Sequence, residues 1–407
     1  MKTKNKLSNL VYLDYAAITP IDPEVQKYMD EEGQKCFGNP SSIHSVGLMA
    51  AKSLSNSRRK IADILDCREQ EIFFTAGGTE SDNMAILGRV RKFIFGKKKI
   101  KPHVITTVIE HHAVLNSCKE LEKEGVDVTY LPVDATGLVN MKDLIAAIRP
   151  QTVLVSIMYV NNEVGTILPI KEISKVLKKI NKQRVIDGLP VILFHSDACQ
   201  AAGLLDINVN SLGVDALTLN GGKIYGPRQF GILYLKDKTE IDPIIFGGGQ
   251  EKGMRSGTEN IAAAAGFALA LGKVQKIKNK ESARLTSLRN YFYGKLQKAI
   301  PDIQLNGPEI NSESFLRLPN NLNISIPNTD GEVMVIYLDA AGIECSTGSA
   351  CSTVLTQPSH VIKAISGSTD RAKSSLRFTL GKSTTKKEID YTVDEMARLV
   401  QEQRQGI

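Results

Sequence analysis

The chain has 407 residues, 42% hydrophobic and 23% charged, with 51 Lys and Arg against 44 Asp and Glu for a net charge of +7. That is the composition of a soluble globular protein longer than one typical domain, and no apolar run is long enough to cross a bilayer, which excludes a helical membrane protein. Six cysteines (Cys36, Cys67, Cys118, Cys199, Cys345, Cys351) lack CxxC pairing, so neither a disulfide framework nor a zinc cluster is expected, and no metal site is read from the sequence.

In chain order, the basic start (Met1 to Lys6) lacks the apolar core of an export signal, so a cytoplasmic location is expected. Apolar runs then alternate with helical patterns. Strands are expected at Ile72 to Thr75, His103 to Ile109, Asp127 to Leu131, Thr152 to Met158, Val191 to His195, Ala216 to Leu219 and Gly231 to Leu235. Helices between them include Ser81 to Phe93 and Val114 to Glu124. This α/β alternation predicts a mostly parallel seven-stranded sheet covered on both faces, with ligands bound outside the carboxyl ends of its strands. Basic runs at residues 89–101 and 175–184 belong to no visible nucleic-acid-binding module. They read as solvated surface, or as a face for an acidic protein, and direct nucleic-acid binding is not expected. The polar stretch Asn181 to Gly188 reads as a surface insertion. From residue 261 a long helical stretch to Lys298 gives way to shorter strands, Asn321 to Ile326 and Ser375 to Thr379, and a closing helix from Lys386. The expected organisation is a large α/β domain over residues 15–260 and a smaller α+β domain formed by residues 1–14 and 261–407.

Polar residues cluster just after the predicted strands. Asp197 and Gln200 follow one, and Asn220-Gly221-Gly222-Lys223 follows the next. A lysine amine able to form a Schiff base, and an acid able to keep a pyridine nitrogen protonated, are the minimum for holding pyridoxal 5'-phosphate. Gly77-Gly78-Thr79 ends a strand and opens a helix, an arrangement suited to a phosphate, with Gly78 and Thr79 as the candidate contacts. His111 is placed to stack on a heteroaromatic ring, with His112 its exposed neighbour. Asn162 and Gln200 are candidates to donate to the cofactor's phenolic oxygen.

These stretches, together with Tyr12 to Ala17, Gly38 to Ser42, Gly247 to Glu251, Arg255 to Thr258, Ser346 to Cys351 and Ser374 to Phe378, resemble the cysteine desulfurases of the aminotransferase class V group. The resemblance runs in order along nearly the whole chain. It implies a fold-type I pyridoxal-phosphate enzyme of the longer-loop branch, in which Lys223 carries the cofactor, Asp197 pairs with the ring nitrogen and His111 stacks on the ring. Gly78, Thr79 and Asn220 would lie at the phosphate. Thr258 would reach the phosphate of a neighbouring subunit, which implies a homodimer. Arg377 would clamp the substrate carboxylate, a task that suits a planar guanidinium. The family usually has Ser-Gly-His or Ser-Ala-His before the lysine, so Asn220-Gly221-Gly222 predicts rearranged phosphate anchoring.

Cys351 ends a run of small residues, Ser346-Thr347-Gly348-Ser349-Ala350. The resemblance makes it the thiolate that takes sulfur from L-cysteine, leaving L-alanine, with His111 as proton relay. The sulfur would then pass to an acceptor such as an iron–sulfur scaffold or a tRNA-thiolating enzyme. Two other readings stay open at this level: an aminotransferase or β-lyase that does not use Cys351, and a scaffold that has lost catalysis.

Overall fold

A computed structural model describes residues 10–96, 101–310, 316–348 and 358–405. The chain opens with a two-residue strand, β1 (Val11–Tyr12), and then builds β2 (Ile72–Thr75), β3 (His103–Thr107), β4 (Asp127–Leu131), β5 (Thr152–Ser156), β6 (Leu193–Asp197), β7 (Ala216–Asn220) and β8 (Gly231–Leu235). The last seven form one sheet in the order β2-β8-β7-β6-β5-β3-β4. Neighbours from β7 through β4 are parallel, while β8 runs antiparallel to both β2 and β7.

The strands are apolar without alternation because both faces are covered. Phe74, Ile105, Val155, Phe194 and Leu217 face one core, shared with the start of the helix Ile261–Ala299. Their chain neighbours Phe73, Val104, Leu154, Leu193 and Ala216 face the other, packed by the helices Gly78–Ile94 and His112–Lys123. The parallel strands therefore end along one edge of the sheet, where the turns that follow them converge.

The predicted strands and helices are present with shifted ends. Among the strands β6 is displaced at both ends, starting two residues later than the apolar run suggests and taking Asp197 as its last residue. The Asn181 side chain bonds both the N–H and the C=O of Ile192, and Arg89 takes the carbonyl of Val191, so this stretch never joins the ladder. The stretch Asn181 to Gly188 is mostly exposed, as a surface segment should be, yet it is not all loop. It includes the end of the helix Ile170–Ile186, and the guanidinium of buried Arg184 binds the carbonyls of Arg149, Pro150, Thr152 and Pro190.

The C-terminal part contains β9 (Gln304–Leu305), β10 (Asn321–Ser325), β11 (Ile343–Glu344) and β12 (Ser375–Thr379). An antiparallel sheet in the order β12-β10-β9 and the parallel pair β1-β11 cover a separate core that includes Leu13, Phe292, Leu322, Ile324, Phe378 and Met396. The 39-residue helix Ile261–Ala299 serves both cores, Ile261 to Val274 in the first and Leu285 to Leu296 in the second.

Candidate active site

A cleft of about 900 Å³ opens at the carboxyl edge of the large sheet. Asp197 sits there as the last residue of β6, its Oδ1 fixed by the backbone N–H of Cys199 at 2.9 Å. Lys223 ends the short 3-10 turn that follows β7, and its Nζ donates to the carbonyls of Ala16 (2.7 Å) and Ala17 (2.5 Å). Gln200 donates to the same Ala16 carbonyl at 3.0 Å, so the N-terminal segment orients both side chains.

His111 is the N-cap of the helix His112–Lys123, and its Nδ1 accepts from the N–H of Ala113 at 3.1 Å. The neutral ring therefore carries its proton on Nε2. Burial lowers its pKa, opposed by Asp197. In this tautomer His111 is a donor toward the cleft, and accepting a proton at Nε2 requires that the Ala113 cap be broken or the ring be charged. His112 is half-buried and lies against His360, their ring centroids 4.9 Å apart.

Of the two asparagines after β5, Asn161 is structural: its side chain binds Ile109 O and accepts from the N–H groups of Glu163 and Val164. That turn leaves Asn162 lining the cleft.

Gly78, Thr79 and Asn220 line a shallow depression at the start of the helix Gly78–Ile94. Gly77 has φ 144°, a conformation open to glycine, and frees the first helical N–H groups for an anion. A Cβ on Gly78 would lie 2.8 Å from the Cys199 sulfur, so that surface is bare backbone. Asn220 accepts from the N–H of Gly222 through Oδ1 at 2.9 Å and so caps the lysine turn, while its amide nitrogen faces the Gly78 turn. Cys199 is buried and its thiol pKa is pushed up, which suits packing rather than nucleophilic chemistry.

Arg377, in the middle of β12, reaches the same cleft from the smaller sheet. Its Nη2 pairs with Asp14 at 2.7 Å, and its Nη1 donates to the carbonyls of Asn162 (3.1 Å) and Gly348 (3.2 Å). Its buried Nε has no partner among the described residues. The planar Nε–Nη2 edge of a guanidinium has the shape to meet a carboxylate side-on.

Thr258 is exposed and does not line this cleft. Its segment is tied down by Arg255, which pairs with Glu80 at 2.7 Å. Cys351 lies outside the described residues, while Gly348, three positions before it, lines the cleft. Cys345 is buried and its thiol pKa is raised.

Sequence reasoning gave no role to Asp14, Asp82 or Glu163. Asp82 and Glu163 line the cleft, and Asp14 holds Arg377. For Asp82 a signal was present: an acidic residue in a helix whose neighbours Met84 to Val90 are buried on every side.

The residues fit pyridoxal phosphate on their own chemistry. A helix start of bare backbone, a carboxylate at a strand end, an imidazole and a lysine amine all border one space, and the Arg377 guanidinium borders it from the smaller sheet.

Comparison with known proteins agrees. The aminotransferase class-V family model matches residues 11–392. A cysteine desulfurase IscS from Dictyoglomus turgidum is 45% identical over 394 residues, covering 97% of this chain and 95% of that protein. A solved NifS-like protein superposes with a TM-score of 0.86 at 32% identity, covering 96% of this chain and 99% of the other. The structure of SspA in complex with cysteine gives 0.73 at 33% identity, covering 91% and 98%. The chain belongs to the aminotransferase class-V family and, within it, to the cysteine desulfurases, a group of pyridoxal-phosphate-dependent enzymes.

Proposed function

We propose that the cleft binds pyridoxal 5'-phosphate and L-cysteine, and that the protein releases L-alanine while sulfur passes to Cys351. The observation that carries this reading is the convergence on one cleft of Asp197 and Arg377, from strands of two sheets, and Lys223, from the turn after a third strand. Lys223 would hold the cofactor covalently, Asp197 would face its ring nitrogen, His111 would lie against the ring, and Asn162 and Gln200 would flank it. Gly78, Thr79 and Asn220 would bind its phosphate. When bound, the cofactor supplies an electron sink that acidifies the substrate α-proton.

The chain's own residues do the rest. The Nε and Nη2 fork of Arg377 holds the substrate carboxylate. The Lys223 amine moves the α-proton. The Cys351 thiolate attacks the substrate sulfur: an S–S bond forms, the Cβ–S bond breaks with its electrons staying on carbon, and that carbon takes a proton. The products are L-alanine and a persulfide on Cys351. His111, with its proton on Nε2, donates toward this space.

We place the division of the chain at residues 15–260 against 1–14 and 261–407, with the helix Ile261–Ala299 shared between the cores. Exposure of Thr258, away from the cleft of its own chain, supports its use by a second subunit of a homodimer. The acceptor would be a sulfur-carrying partner such as an iron–sulfur scaffold or a tRNA-thiolating enzyme. Among the described residues no helix is long and apolar enough to cross a membrane, which agrees with action in the cytoplasm.

Purified protein with added pyridoxal phosphate should show a visible absorbance band, and with L-cysteine and a reductant it should release sulfide and alanine in equal amounts. Cys351→Ala should keep the band and lose the sulfide. A band with no sulfide from the wild type would point to another amino-acid reaction.

A further inference from the structure

Asp82, like Glu163, is a carboxyl of the cleft that neither the sequence reading nor the proposed reaction uses. It projects from the second turn of the helix Gly78–Ile94, is 1% exposed, and its Oδ1 has no hydrogen-bond partner among the described residues. Donor atoms of Asp82, Asp197 and His111 all lie within 4.8 Å of one another. Two carboxyl groups therefore share a buried corner with one imidazole.

The groups facing Asp82 come from each element packed on it. From β6 come His195 and Asp197, from the turn after β3 come Glu110 and His111, from β7 comes Thr218, and Cys199 and Lys223 border the same cleft. His195 is nearest by charge type, with Nε2 at 3.6 Å from Asp82 Oδ1. That contact is not an ion pair. His195 is enclosed between the hydroxyls of Ser156 (2.9 Å) and Thr218 (3.0 Å), and burial brings its pKa down to about 4. Lys223 is directed to the Ala16 and Ala17 carbonyls. Among the described residues Asp82 thus has a second carboxyl for a neighbour, and two ionised carboxylates at this spacing in a dry site would repel strongly. Burial first and then Asp197 push the Asp82 pKa well up, against a side-chain hydrogen bond with Thr218 that lowers it.

We propose that Asp82 is a positioning residue for Asp197: a carboxyl that keeps its proton at neutral pH, so that Asp197 alone carries negative charge where the cofactor's ring nitrogen docks. The protonation follows from the protein's own geometry, and the role toward a ring nitrogen rests on the pyridoxal-phosphate reading above. A neutral Asp82 leaves one carboxylate to balance one protonated ring nitrogen. It also supplies a polar wall that does not compete for that proton.

The test is Asp82→Asn, the neutral isostere, with two readouts. The first is the thermal midpoint of the cofactor-free protein from pH 5 to 9. A carboxyl whose folded pKa is raised contributes stability that is present below its unfolded pKa and is lost as pH rises toward the folded value. The variant should match wild type near pH 5 and exceed it by roughly 2–5 °C at pH 8.5. The second is the pH titration of the visible band of the loaded protein, whose midpoint should stay within about 0.3 pH units of wild type, since one neutral group replaces another. A midpoint difference that is the same at every pH would make Asp82 a packing residue and overturn the proposal. A band midpoint moved by a full unit would mean that Asp82 is ionised, and would overturn it as well. If no band forms in wild type, the cofactor reading falls while the first readout still decides the protonation. Should the asparagine variant not fold, Asp82→Ser gives the same two readouts.

Discussion

Arg377→Lys should cripple the use of L-cysteine while leaving the cofactor band in place. The guanidinium is 2% exposed and is held on three sides, by Asp14 and by the carbonyls of Asn162 and Gly348. A lysine ammonium can keep the Asp14 contact but cannot also present a planar fork. What disappears is a pair of charge-assisted hydrogen bonds to the substrate carboxylate, together worth about 3–5 kcal/mol, or roughly 10²–10⁴-fold in kcat/KM. Most of that loss should appear in KM, because the carboxylate is held equally before and during reaction. Steady-state sulfide release over a range of cysteine concentrations measures it, and the visible spectrum reports the bound cofactor in the same sample. A variant with kcat/KM within threefold of wild type and an intact band would show that the carboxylate is bound elsewhere.

Glu110 is buried beneath the site, accepting from Met158 N–H (3.0 Å) and Thr107 Oγ1 (2.8 Å), and burial raises its pKa from 4.5 to about 8. With the folded value raised, stability falls as pH climbs from about 4.5 to 8, by on the order of 4 kcal/mol. Glu110→Gln should therefore match wild type near pH 5 and be the more stable protein at pH 8 in urea unfolding, and equal curves at both pH values would contradict this. Gly78→Ala places a methyl 2.8 Å from the Cys199 sulfur and should cost about 1–3 kcal/mol. Adding Cys199→Ala should recover most of that loss, and strict additivity of the two changes would show that the sulfur is not the obstacle.

Strands such as Ile72–Thr75 and Asp127–Leu131 were legible because an apolar or β-branched run is bounded by turn residues on both sides. β6 was not, because the hydrogen bonds that divert Val191 and Ile192 come from side chains on the preceding helix and on one 102 residues earlier in the chain. Strands of two residues, Val11–Tyr12 and Ile343–Glu344, are too short to show any period and exist only as partners of each other. Within the site, Asp197, Lys223 and Arg377 could be found from strand-end placement and the family resemblance. Asp14 acts through a group far away in sequence with nothing local to mark it, whereas Asp82 carried a signal in the buried residues that follow it on its helix. The role of Asn220 shows a third limit. Its residue type suggested a phosphate ligand, whereas half of the side chain is committed to the turn that aims Lys223.

The ion pair between Asp14 and Arg377 joins residues 363 positions apart, and Lys223 leans on carbonyls contributed by Ala16 and Ala17. A chain leaving the ribosome can therefore assemble its central sheet early but must keep its first strand unpaired until Ile343 and Thr379 emerge. Closing so large a loop comes late in folding. Premature termination between β8 and β12 yields a product with the lysine and the aspartate but without the arginine or the ordered N-terminal carbonyls. Such fragments would be poor at capturing a reactive aldehyde, which confines the chemistry to finished chains.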